Sequence, residues 1–194
     1  MTLPTQLTFL RFLLTFLVMG LLMVPGWPAK MAALVGFLAA GLTDWLDGWL
    51  ARRWHQVSPF GALLDPIADK VLVLGVFLSF VQLRLIPAWM VLVILLRELI
   101  ITGVRLFVAS RGVVLAAAQE GKQKAVSQMV TIIVILTVLM VRELFNPASI
   151  PAEVSRAMDW TVDACLWVTV LFTVISGVSF FRRHHAVLWD AARR

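Results

Sequence analysis

The sequence predicts an all-α integral membrane protein of six transmembrane helices, forming a single domain over residues 1–194. Three observations carry that prediction. Of the 194 residues, 61% are hydrophobic and only 14% are charged, whereas soluble domains run at about 45–50% and about 25%. With a mean hydropathy of +0.93, the chain has too little polar surface to clothe a water-soluble globule. That excludes a soluble enzyme, a disordered chain and a disulfide-stapled scaffold, and the single cysteine, Cys165, has no internal partner. The second observation is the pattern of apolar runs, and the third is the placement of basic residues between them.

A helix needs about 20 apolar residues to cross a bilayer. The runs are 7–24, 31–50, 60–81, 87–108, 125–141 and 160–181. The breakers fall between them: Pro25-Gly26-Trp27-Pro28, Ser58-Pro59, Ile86-Pro87 and Asn146-Pro147. The first run follows Arg11 and resembles a secretory signal, but Gly26–Lys30 makes a poor cleavage site, so the run is expected to be retained. Of 17 basic residues, eleven fall on one face of this topology: Arg11, Arg52, Arg53, Arg105, Arg111, Lys122, Lys124, Arg182, Arg183, Arg193 and Arg194. Four, Lys30, Arg84, Arg142 and Arg156, fall on the other. The positive-inside rule then puts both termini in the cytoplasm of a multi-pass protein of the cytoplasmic (inner) membrane. Trp27, Trp89 and Trp160 mark the outer boundary, and Trp45, Trp49 and Trp54 approach the inner one. The net charge of +6 points to anionic membrane lipids rather than nucleic acid.

Four of the seven aspartates lie in the second and third runs. Asp44 and Asp47 are spaced i, i+3, and Asp65 and Asp69 are spaced i, i+4, so each pair shares a helix face. The two helices are consecutive and can run antiparallel, which would bring the pairs together. A carboxylate at mid-span costs about 2.5–3.5 kcal/mol, so four unpaired ones would cost roughly 10 kcal/mol. Ion pairs with Arg52, Arg53 and Lys70 are one remedy, though Lys70 is adjacent to Asp69 and faces elsewhere. The other remedy is a hard divalent cation, Mg²⁺ or Mn²⁺, on oxygen ligands. No Cys/His cluster competes, since His55, His184 and His185 lie at the surface end of the basic face. Two ions on shared carboxylates are a device for phosphoryl transfer. Gly48 removes a side chain where a ligand can approach, Ala51 keeps that face small, and Arg52 offers a fork to phosphate. Gly48 alone equally fits close helix packing.

Asp44-x-x-Asp47-Gly48-x-x-Ala51-Arg52, then eight residues, then Gly61-x-x-x-Asp65-x-x-x-Asp69 resembles the signature of the CDP-alcohol phosphotransferases, which are six-helix membrane enzymes. The resemblance implies that Asp44, Asp47, Asp65 and Asp69 hold two metal ions, and that Asp69 is also the catalytic base. It implies that Thr8, Gly48, Ala51, Arg52, Ser58 and Gly61 bind CDP-diacylglycerol, and that the protein is a homodimer. Pro4-Thr5-Gln6-Leu7-Thr8-Phe9-Leu10-Arg11 is similar to the N-terminal segment of the branch that makes phosphatidylglycerophosphate, with Thr5 and Gln6 where asparagine is commonest. Leu96-Arg97-Glu98-Leu99-Ile100-Ile101-Thr102, Arg105 and Gly121-Lys122-Gln123-Lys124 are similar to that branch too.

An acceptor bearing its own phosphate, such as sn-glycerol 3-phosphate, needs cations beyond those used on the nucleotide. Arg11, Arg97, Arg105, Lys122 and Lys124 are the candidates. Arg97 and Arg105 are eight apart and share a face; Lys122 and Lys124 also fit ordinary positive-inside residues. An Arg97–Glu98 ion pair is not expected, because helix neighbours diverge. The expected reaction is transfer of the phosphatidyl group from CDP-diacylglycerol to glycerol 3-phosphate with release of CMP. Inositol phosphate, serine or phosphatidylglycerol are rival acceptors. A cation transporter is the rival class, although no paired halves with broken helices are evident.

Overall fold

The computed structural model describes the backbone of residues 3–54, 59–110, 119–145 and 149–193; side chains at 3–8, 44–54, 59–66, 69, 119–122, 186–187 and 190–193 lie outside that description. Six helices follow in order, with no strand among the described residues: α1 Leu3–Met23, α2 Trp27–Trp54, α3 Pro59–Gln82, α4 Ala88–Ser110, α5 Gln119–Leu144 and α6 Ala152–Arg193.

The helix ends follow from local chemistry. Gly26 adopts φ 105°, a conformation that costs other residues strain. From there its carbonyl accepts from the Ala29 and Lys30 N–H groups at 3.1 and 3.4 Å and starts α2. Pro28 sits in the first turn, where its missing N–H is no loss. Trp27, expected in the connection, is the first helical residue instead. α3 stops in a Schellman motif: the Leu85 N–H reaches the Phe80 carbonyl at 3.0 Å and the Arg84 N–H reaches Val81 at 2.9 Å, with Arg84 left-handed at φ 57°.

α1 packs against both α2 and α3, α2 against α5, and α6 against α4 and α5. Small residues permit the closest approaches. A methyl on Gly36 would come within 3.0 Å of Val18, and one on Gly75 within 2.9 Å of the Met19 sulfur. The shared core runs through Val18, Leu22, Phe37, Val76, Phe77, Ile94, Ile135 and Leu166.

The surface is inverted relative to a soluble protein. Arg11, Thr15, Thr131, Thr169 and Ser176 are buried, while Leu13, Phe16, Leu92, Leu99, Leu171 and Ile175 are exposed. A bilayer reverses the usual preference in this way, because lipid solvates the apolar side chains and the polar ones must find partners inside. Hydroxyls do so locally: Thr15 donates to the Arg11 carbonyl at 2.8 Å and Ser79 to Gly75 at 3.0 Å. Between helices, the Thr131 and Thr169 hydroxyls meet at 2.8 Å.

Among the described residues, two helical segments are long and apolar enough to cross a membrane, Gln123–Leu144 and Ala152–His185. The apolar parts of α1, α2 and α3 are shorter, Phe9–Met23, Trp27–Thr43 and Lys70–Gln82. α6 differs most from expectation: it has 42 residues, or about 60 Å at 1.5 Å per residue. It continues as helix through the basic tail that follows residue 181. Lys122 and Lys124, expected to flank a loop, lie in the first turns of α5.

Lys30 lies buried at the α1–α2 turn. Its ammonium donates to the Leu22 and Val24 carbonyls, both at 2.7 Å, and lies 3.7 Å from the Glu143 carboxylate of α5. Glu143 also accepts from the Gly26 N–H. This cation caps the end of α1 and ties the turn to α5. Lys30→Met strands two carbonyls, and is expected to cost about 1–3 kcal/mol. The readout is the thermal unfolding midpoint in detergent.

Candidate active site

The motif stretches lie on continuous helix. Asp44, Asp47, Gly48, Ala51 and Arg52 belong to α2, and Gly61, Asp65 and Asp69 to α3. Their side chains lie outside the described residues, as do those of Thr8 and Lys122; Ser58 lies outside altogether. The helical backbone keeps each aspartate pair on one face, as i, i+3 and i, i+4 spacing requires.

Directly beside these stretches is a cavity of about 300 Å³ between α2, α3, α4 and α5. Its wall includes Ala40, Gly41, Lys70, Glu98, Lys124 and Gln128. Gly41 precedes Asp44 by three residues and Lys70 follows Asp69 directly, so the cavity abuts the motif on both helices.

One carboxylate organises the far wall. Glu98 on α4, only 7% exposed, is paired with the Lys124 ammonium of α5 and with Arg97 Nη1 at 3.1 Å. The other terminal guanidinium nitrogen, Arg97 Nη2, donates to Ser176 Oγ of α6 at 2.6 Å. A single polar chain therefore joins α5, α4 and α6. It overturns the expectation that Arg97 and Glu98 do not pair. The side chains do leave the helix in different directions, but in an apolar bundle both must turn to the same buried polar seam. Arg97 runs alongside Gly177 of α6.

Of the cations expected to bind acceptor phosphate, the four with described side chains take different places. Lys124 lines the cavity. Arg97 lines a separate, mostly apolar groove of about 410 Å³ between α4 and α6 and reaches the cavity wall only through Glu98. Arg11 is fully buried on α1, and Arg105 is exposed on α4. Two wall residues were missed by sequence reasoning as site residues. Gln128 follows Lys124 by four and so shares its face, which was the available signal. Glu98 was discounted through its neighbour.

Among the described residues no group of three or more His, Cys, Asp or Glu side chains could hold a metal ion. The aspartates of α2 and α3 are the donor set in question. Four carboxylates with no sulfur or imidazole among them are the chemistry that Mg²⁺ and Mn²⁺ prefer.

The CDP-alcohol phosphatidyltransferase family profile matches residues 1–175. The chain belongs to this family. A CDP-diacylglycerol–glycerol-3-phosphate 3-phosphatidyltransferase of Bacillus subtilis (strain 168) is 36% identical over 204 residues, covering 98% of this chain and 97% of the relative. The protein of that name from Cereibacter sphaeroides is 32% identical over 217 residues, covering 97% and 98%. The one from Escherichia coli (strain K12) is 40% identical over 135 residues, covering 66% and 73%.

The Glu98 seam predicts an asymmetry in stability. Glu98→Leu leaves the buried Lys124 ammonium unpaired and is expected to cost about 3–5 kcal/mol. Adding Lys124→Met should restore most of the loss in thermal midpoint, because removing both charges removes the desolvation penalty as well.

Proposed function

We propose that this chain transfers the phosphatidyl group of CDP-diacylglycerol to sn-glycerol 3-phosphate, giving phosphatidylglycerophosphate and CMP. The observation that carries the reading is the cavity beside the aspartate stretches of α2 and α3, with Lys124 held in its wall. It joins a phosphoryl-transfer motif to a buried cation suited to an acceptor's phosphate. The near full-length relatives that bear this activity in their names support the same acceptor. The cation-transport reading has no comparable support.

In this reading Asp44, Asp47, Asp65 and Asp69 would hold two divalent ions, Mg²⁺ or Mn²⁺, which when bound neutralise the pyrophosphate and the departing oxygen. Gly48, Ala51, Arg52, Ser58, Gly61 and Thr8 line the CDP-diacylglycerol side, and the acyl chains stay in the bilayer. Arg11, Arg97, Arg105, Lys122 and Lys124 form the cationic side for the acceptor, with Lys124 nearest the cavity and Arg97 acting through Glu98. Asp69 accepts the proton of the acceptor's C1 hydroxyl as that oxygen bonds to the phosphorus bearing diacylglycerol. The bond from that phosphorus to the CMP oxygen breaks, and Arg52 meets the charge that develops on the nucleotide.

All six helices cross the inner membrane in this reading, with both termini cytoplasmic and the exposed Trp27, Trp89 and Trp160 at the outer boundary. The protein acts as a homodimer, as its family resemblance implies.

The test is CMP release by purified protein given CDP-diacylglycerol, Mg²⁺ and a panel of alcohols. Glycerol 3-phosphate is expected to be the preferred acceptor; preference for serine or inositol phosphate would overturn the assignment. Chelation should stop turnover, and Mg²⁺ or Mn²⁺ should restore it. Asp69→Asn is expected to lower turnover by about 10²–10⁴-fold; near wild-type turnover would remove the base.

A further inference from the structure

The Gln128 carboxamide is anomalous. Its residue is 4% exposed, and its Nε2 is buried with no hydrogen-bond partner, yet it stands in the wall of the cavity beside the aspartate stretches. An unsatisfied amide in an apolar span is a standing penalty. Arg97 Nε and Thr173 Oγ1 are also without a partner, but both residues line the apolar groove between α4 and α6, while in the cavity wall Glu98 is doubly paired. Of these unpartnered groups only Gln128 belongs to the wall of the cavity beside the aspartate stretches, so it is the one a ligand in that cavity can satisfy.

The position identifies the ligand chemistry. Gln128 lies one turn beyond Lys124 on the same face of α5, about 6 Å along the helix axis. A small molecule with its phosphate at Lys124 would therefore present to Gln128 whatever lies two or three bonds further on. For a polyol phosphate that is a hydroxyl on the adjoining carbon. A carboxamide matches such a hydroxyl, since it both donates and accepts. The cationic partner reads the phosphate charge but not the carbon skeleton; the amide reads the skeleton.

Resting on the function proposed above, we infer that Gln128 is a specificity-determining residue that hydrogen-bonds the secondary hydroxyl of the acceptor polyol phosphate. A site built around such a bond rejects analogues that lack the hydroxyl, because the amide then stays unpaired.

The experiment compares sn-glycerol 3-phosphate with 3-hydroxypropyl phosphate, the same acceptor without its secondary hydroxyl, in wild-type protein and in Gln128→Met. Wild type is expected to favour glycerol 3-phosphate in kcat/KM by about tenfold or more. Gln128→Met should collapse that preference to within about threefold, mainly through loss of activity on glycerol 3-phosphate, with the KM for CDP-diacylglycerol unchanged. Its thermal midpoint should not fall, because the buried Nε2 it removes had no partner. Equal losses on both acceptors, a raised KM for CDP-diacylglycerol, or a variant that unfolds would each overturn the proposal. If wild type releases CMP with neither acceptor, the assigned function itself fails, which is a distinct result.

Discussion

A bilayer offers no water to a stranded polar group, and the rest of this structure depends on that constraint. Each charge inside the bundle has to be matched by another helix, so charges become the joints between helices. Lys30 closes the end of α1 and reaches Glu143 of α5. Glu98 gathers Lys124 from α5 and Arg97 from its own helix, and Arg97 passes the connection to Ser176 of α6. Arg142 near the end of α5 meets Asp159 of α6 at 2.7 Å. Apolar packing alone would leave these helices free to slide, because lipid tails compete equally for their leucines.

The same constraint explains the location of the cavity. Aspartates lie within α2 and α3, and Arg97, Glu98 and Arg105 within α4, whereas Gln123–Leu144 of α5 and Ala152–His185 of α6 are long apolar segments. The cavity opens where the polar parts of α2, α3 and α4 meet the start of α5. Structural helices and chemistry-bearing helices are thereby divided. α6 braces α4 and α5 from outside through Ser176 and Thr169, and α1 braces α2 and α3 through the close contacts at Gly36 and Gly75.

Much of this was legible in the sequence, for physical reasons. Apolar run length and breakers located all six helices, since hydrocarbon thickness fixes the one and proline geometry the other. Ends were less legible: α6 extends well past both limits of its apolar run, because charged residues such as Arg182 and Arg183 are good helix formers outside the lipid. The aspartate motif was conspicuous because intramembrane carboxylates are costly. What the sequence hid was the three-dimensional pairing. Arg97 and Glu98 look divergent on a helical wheel, yet a shared buried seam turns them together. Gln128, uncharged within an apolar run, carried no signal beyond its spacing from Lys124, and only the cavity around it distinguishes it from a packed side chain.

The seam around Glu98 also bears on the class of acceptor. Among the described side chains, two cations, Arg97 and Lys124, share one buried carboxylate, that of Glu98. Removing a cation from water is expensive, and an uncharged acceptor such as serine's hydroxyl end or a bare polyol does nothing to offset it. A phosphate does, and in a medium of low effective dielectric it does so more strongly than at a surface. In the function proposed above, Glu98 holds Lys124 in place while no phosphate is bound. A second carboxylate here would, in that function, compete with the acceptor's phosphate for Lys124, and the sharing of one carboxylate between two cations leaves that ammonium available to it.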